Sequence, residues 1–168
     1  MIKLLGCTCV AAAAAYLGFR AAARLKGQVR ALDELIVGLE LLEQELEFHA
    51  PELEVLMRNL SGRTRGAAKR LFSAFAEMLK RGEGAGPGNW ERCVSETEDI
   101  IPEGKACLYG LGEVLGRYDC REQRECVAAV RRRLEAIRES ERAQCQNRCR
   151  TCQTVGLSGG AFLIILLL

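Results

Sequence analysis

The stretch CQNRCRTC places Cys145, Cys149 and Cys152 with three and then two residues between them. Three thiolates at this spacing hold an iron–sulfur cluster in radical enzymes, and on a helix the three positions share one face, so weak metal binding fits the pattern. The surroundings argue against a cluster. Those enzymes present the motif on a loop of a large α/β barrel, commonly with an aromatic before the last cysteine. Here Thr151 holds that place, the segment reads as helix, and the chain has only 168 residues. A free cysteine is ordinarily a small buried hydrophobe. Cys7 and Cys9 lie in an apolar run, and the total of nine cysteines is odd, which argues against a full disulfide framework. Thiols in a cytoplasmic domain stay reduced.

Other catalytic chemistry is thinly supplied. His49 is the one histidine, and it stands at a helix end before Pro51, which suits a surface residue better than a base. The glycine-rich EGAGPG (83–88) follows no strand and lacks the Lys-Ser/Thr of a phosphate-binding loop. Acidic runs such as LLEQELE read as the solvated side of an amphipathic helix. Nothing here specifies an enzyme, a cofactor or a metal.

The elements that would position these residues start from two apolar ends. Between Ile2 and Phe19 the one formal charge is Lys3, and about 20 apolar residues cross a bilayer core. Residues 2–19 therefore read as an N-terminal transmembrane helix. A cleaved signal peptide fits less well because the helical pattern continues past Ala21–Ala23. LLGC at Leu4–Cys7 leaves too few residues before the cysteine for a lipoprotein signal. At the other end SGGAFLIILLL closes the chain. Counted from Thr151 it makes roughly 27 Å of helix, enough to span a core of roughly 30 Å. Residues 151–168 are the second expected span, and a short interfacial helix is its rival. Arg20, Arg24, Lys26 and Arg30 follow the first span, and Arg142, Arg148 and Arg150 precede the second. Both biases put residues 20–150 in the cytoplasm.

That middle segment is rich in Ala, Leu, Glu, Arg and Gln and poor in β-branched and aromatic residues, so it should be all-α: a membrane-anchored bundle of about six helices. A net charge of +2, mixed evenly in sign, gives no footprint for nucleic acid. Leu25, Leu32, Leu39 and Leu46 recur every seven residues with Leu35 and Leu42 between them, a coiled-coil-like stripe on a first helix running from the span to about residue 49. Pro51 restarts the chain, and PELEVLMRNL ends at Ser61-Gly62. Leu71, Phe72, Phe75, Met78 and Leu79 share one face of the next helix, closed by Gly82. Asn89 is the expected cap of WERCVSETEDI. Pro102 opens a helix to about Gly116. Asp119, with Glu122 at the capping-box position, starts a last helix carrying Val127, Val130, Leu134 and Ile137 into the C-terminal span. First and last helices should pack antiparallel as a rigid stalk.

The segment LGEVLGRYDCREQ (Leu111–Gln123) carries Leu111, Gly112, Leu115, Gly116, Asp119 and Gln123. With the opening M-x-K-L-L-G, the LLEQELEF stretch, LF-x-x-F, the glycine-rich loop and Trp90 after it, this segment resembles the stage III sporulation protein AB family over nearly the whole chain. The nine cysteines and Tyr118 depart from that pattern. The resemblance implies a component of the channel-like apparatus linking mother cell and forespore in endospore-forming bacteria. It would sit in the outer forespore membrane with its soluble part in the mother-cell cytoplasm. That part looks like the cytoplasmic helical domains of type II secretion F and type IV pilus C platform proteins. No catalytic site is implied. The partners implied are the secretion-type sporulation ATPase (stage III protein AA), other membrane components of the channel and the lipid bilayer; a homo-oligomer is left open.

The residues themselves give the motif two readings. Gly112 and Gly116 share one helix face, and each costs about 1 kcal/mol against alanine in a helix interior. A close helix–helix approach would compensate at Gly112, while Gly116 would suit a left-handed helix end. The corner of a hairpin is favoured over a partner-binding surface. Two functions compete: a platform coupling an ATPase to a channel, and a juxtamembrane cysteine-based metal or redox sensor.

Overall fold

The computed structural model describes the backbone of residues 2–48, 52–116 and 119–167, and side chains at 20, 23–47, 52–116 and 119–145. Among these residues there are helices and no strands: α1 (Ile2–Phe48), α2 (Leu53–Arg63), α3 (Gly66–Lys80), α4 (Pro87–Glu96), α5 (Pro102–Tyr109), α6 (Leu111–Val114) and α7 (Cys120–Leu167). Only Gly110 separates α5 from α6, so the six expected helices are present with one of them broken. The chain divides into two units. One is Met1–Gly27 with Ser140–Leu168; the other is Gln28–Glu139. The first consists of the N-terminal part of α1 and the C-terminal part of α7. The expected spans 2–19 and 151–168 lie outside the described side chains, and among the described residues no helix is long and apolar enough to cross a membrane.

The second unit has one core. On α1 the heptad positions Leu32, Leu35, Leu39, Leu42 and Leu46 are buried, joined by Ala31 and Ile36, while Val37 on the far side is exposed. α1 also comes close to α3. A Cβ on Gly38 would stand 2.9 Å from Ala68 Cβ and from Phe72 Cε2, so the small residue lets the Phe72 ring lie against the helix backbone. α2 adds Leu56, Met57 and Leu60 to the core, and α3 adds Leu71, Phe72, Phe75 and Ala76. Met78 and Leu79 are partly buried against it. On α7 Val127 and Leu134 are buried, with Val130 and Ile137 packed at the edge.

Helix ends show where local signals were outvoted. α3 closes as expected. Gly82 has φ +76°, its N–H reaches Leu79 O at 2.9 Å, and the Glu83 N–H reaches Met78 O at 3.3 Å, the paired bonds of a glycine-terminated helix. Asn89, expected as a cap, is instead inside α4, which begins at Pro87 after Gly86. Its amide donates back to Glu83 O at 2.8 Å and Gly84 O at 3.2 Å, closing the loop before the helix. Proline at the first helical position sets the start because its missing N–H costs nothing there. α4 also ends earlier than WERCVSETEDI suggests, at Glu96. Thr97 is extended and its Oγ1 donates to Cys93 O at 2.7 Å, and Asp99 has φ +67°. α2 starts at Leu53 and runs on through Ser61-Gly62 to Arg63, where Thr64 Oγ1 takes up Leu60 O at 2.7 Å. Pro51 and His49 lie outside the described residues.

α1 and α7 are tied within this unit by charge. Asp33 pairs with Arg138 at 3.3 Å, Glu43 with Arg131 at 3.2 Å and Glu47 with Arg124 at 2.9 Å. Rising numbers on α1 meet falling numbers on α7, so the two run antiparallel there. The continuation of this pair towards the chain ends concerns side chains outside the described residues.

Candidate functional site

The sequence motif folds around one tryptophan. Trp90 is fully buried, its indole N–H donates to Leu108 O at 2.7 Å, and its ring meets Phe75 edge-on with centroids 5.0 Å apart at 83°. A buried indole needs such an acceptor, because an unpaired N–H would cost about 1–3 kcal/mol. Leu108 is near the end of α5, and its carbonyl also takes the N–H of Gly110, which follows the helix. The indole bond joins α4 to α5.

Gly112 sits on the same tryptophan. A Cβ there would stand 3.0 Å from Trp90 Cβ and Cδ1 and 3.1 Å from Pro87 Cα. α6 and the first turn of α4 thus approach backbone to side chain with no room for a methyl group. Leu111 and Leu115 on either side are buried. Gly116 has φ +77°, and a Cβ on it would meet Leu53 Cδ2 at 3.0 Å. Its N–H faces Gln123 Oε1 at 3.5 Å, so the buried glutamine of α7 reaches back to the end of α6. Asp119 is exposed ahead of α7; its Oδ1 accepts the Cys120 N–H at 2.8 Å and its carbonyl accepts the Gln123 N–H at 3.0 Å. Arg117 and Tyr118 lie outside the described residues.

Trp90, Leu111, Gly112, Leu115 and Gln123 are therefore buried, and of the seven motif residues only Gly116 and Asp119 are exposed. Glu34 was not legible in the sequence. Its Oε2 accepts the Ala67 N–H at 2.8 Å, so a carboxylate from α1 caps the positive end of α3. Gly66, with φ +53°, has that carboxylate where a Cβ would be.

The described cysteines are dispersed, and the side chains of Cys7 and Cys9 lie outside the described residues. Cys93 and Cys107 are buried and Cys120 and Cys126 half-buried. Cys93 Sγ lies 3.1 Å from Met78 Sδ, and burial, with Glu96 nearby, pushes its thiol up to about 11. Burial also raises Cys126. Both thiols are protonated and poorly nucleophilic at neutral pH. Cys145 is half-buried on α7, while the side chains of Cys149 and Cys152 lie outside the described residues. Among the described residues no group of three or more His, Cys, Asp and Glu could hold a metal ion.

A helical domain with a buried glycine corner is the class of protein that fold and site define. The stage III sporulation protein AB family matches residues 3–168, and the chain belongs to it. Stage III sporulation protein AB of Bacillus subtilis (strain 168) is 27% identical over 172 residues, covering 100% of both chains. A solved structure of stage III sporulation protein AB superposes with a TM-score of 0.63 at 22% identity, covering 71% of this chain and 97% of that one. That likeness establishes the helical fold. Membership makes this a sporulation protein, as expected of an endospore-forming bacterium, and the matched names describe a stage of sporulation and no enzymatic activity.

Proposed function

We propose that the chain is a membrane-anchored, non-enzymatic platform in the channel-like apparatus between mother cell and forespore. It would couple the secretion-type sporulation ATPase (stage III protein AA) to the membrane channel. The observation that carries this reading is the tie between α1 and α7. Three ion pairs hold the antiparallel helices along their length in residues 28–139, and each helix continues without a break towards an apolar end of the chain. Rigid packed helices transmit displacement. Residues 2–19 and 151–168 would be the bilayer anchors in the outer forespore membrane, with residues 20–150 in the mother-cell cytoplasm.

The buried motif gives this platform its shape. Five of its seven residues are buried, so we read LGEVLGRYDCREQ as a corner that sets helix positions, and the docking surface for the ATPase lies on other residues.

Co-purification of the tagged full-length protein from sporulating cells tests the coupling. The ATPase should be recovered with it from the membrane fraction, and its consistent absence would overturn the reading. Topology is tested by a cysteine at the exposed position 98 in a cysteine-free background. It should resist an impermeant maleimide applied outside intact mother cells and label after lysis.

A further inference from the structure

The short helices of the second unit are segregated by charge. Residues 52–82, covering α2 and α3, hold seven basic and three acidic side chains, a net of +4; residues 83–116, covering α4 to α6, hold two basic and seven acidic, a net of −5. All seven basic residues of the first region and all seven acidic residues of the second are exposed. Part of this charge is neutralised internally. Arg58 pairs with Glu54, Arg63 with Glu45 of α1, and Arg92 with Glu96. Arg65, Lys69, Lys80 and Arg81 make no ion pair among the described residues, nor do Glu83, Glu91, Glu98, Glu103 and Glu113. Where the two regions meet, Arg70 of α3 reaches Glu98 O at 3.3 Å and Asp99 Oδ2 at 3.5 Å. The basic helix and the acidic loop therefore already pair with each other at the seam.

From this we infer that the second unit associates with further copies of itself head to tail, the α2–α3 face of one copy docking on the α4–α6 face of the next. A foreign acidic partner would satisfy one face and leave the other unmatched. A second copy satisfies both, because the excesses are nearly equal and opposite. Two different faces make a heterologous contact, which closes into a ring or extends as a filament. Self-association of this kind does not depend on the ATPase coupling and would hold if that coupling failed.

The test uses the full chain in detergent micelles and reads the protein mass by light scattering. Wild type should run above the monomer near 0.01 M salt, where the Debye length is about 30 Å, and fall to monomer near 1 M, where it is about 3 Å. Variant one carries Arg65→Glu, Lys69→Glu and Arg81→Glu; variant two carries Glu91→Lys, Glu98→Lys and Glu103→Lys. Each alone should be monomeric at low salt, since both of its faces then carry one sign. An equimolar mixture should recover the assembly, because the reversed face of one fits the reversed face of the other. Circular dichroism melts establish that both variants fold, and neutral Gln replacements at the same positions serve if reversal unfolds either. A wild-type monomer at low salt, variants that keep the wild-type mass, or a mixture that stays monomeric would each overturn the proposal. Wild type that stays monomeric yet binds vesicles of anionic phospholipid would assign the basic face to lipid and overturn it too.

Discussion

At the corner of α4 and α6 a single added carbon on Gly112 would stand 3.0 Å from the Trp90 side chain and 3.1 Å from the Pro87 backbone. Along α1 and α7 the paired groups are partly buried carboxylates and guanidinium groups, the arginines on long flexible stems, 2.9 to 3.3 Å apart. Both regions fix helices relative to one another, but their tolerances differ. Close-packed contacts cannot give by half an ångström without losing neighbours or clashing. Ion pairs at a wet surface re-form after small shifts, and each contributes about 0–1 kcal/mol. Position should therefore be set at the corner, while the ion pairs choose direction and register.

The largest effect that tests this contrast is Trp90→Ala. It removes a fully buried ring, its contact with Phe75 and the bond to Leu108 O. Truncations of this kind cost about 3–5 kcal/mol, at roughly 4–8 °C of melting temperature per kcal/mol for domains near this size. We expect the melt followed by circular dichroism to fall by more than ten degrees or lose cooperativity.

Gly112→Leu comes next. Overpacking costs about 1–3 kcal/mol, and the atoms in the way include backbone, which cannot swing aside. Gly110→Leu, two residues earlier, is the control: nothing lies within 4 Å of a Cβ there, so its melt should stay close to wild type. Complementation of a deletion should fail for position 112 and succeed for 110. If the Gly112→Leu protein melted with wild type yet lost the ATPase, the motif would be a docking surface after all.

These two sites also mark what could be read from the sequence. The heptad leucines of α1, the apolar face of α3 and the left-handed glycines at Gly82 and Gly116 were legible because their causes are local: a period of the helix, or a φ that only glycine adopts cheaply. A close approach at Gly112 could be expected, but its partner could not, since Trp90 is 22 positions away and brought there by the fold. Glu34 capping Ala67 is the same case. Nothing distinguishes that glutamate from its exposed neighbours until α3 is set against α1. Asn89 shows the reverse error. Its type signalled a cap, but Pro87 started the helix first and left the amide to close the loop.

Cys93 offers a smaller, pH-dependent effect at the edge of the same packed region. Its thiol is raised by burial from an ordinary 9.0 to about 11, so the folded state favours the protonated form. Its contribution to stability is complete below pH 9 and is lost as pH rises through 11. Other groups titrate there, so the measurement is the difference in melting temperature between wild type and Cys93→Ala. We expect that difference to be constant from pH 6 to 8.5 and to shrink from pH 9 to 11. A constant difference across the whole range would mean that the thiol is less buried than its 2% exposure implies.

The smallest effect belongs to the ion pairs, and it is the sharpest test of the contrast. Glu43→Gln keeps the shape of the side chain and removes its charge. Arg131 would not be left alone, because its Nη1 also meets Glu135 Oε1 at 2.8 Å on its own helix. The remaining contact holds the guanidinium in place, and a glutamine oxygen can still accept a bond from Nε. We expect a loss of less than about 1 kcal/mol, shrinking further as salt is raised, with the sporulation phenotype intact. Removing Glu43 and Glu135 together should cost more than the two single losses combined, since only then is a half-buried arginine stripped of both carboxylates. If Glu43→Gln alone cost as much as Gly112→Leu, the tie between α1 and α7 would be fixing position as strictly as the glycine corner does. The coupling proposed to run along these helices would then depend on this pair.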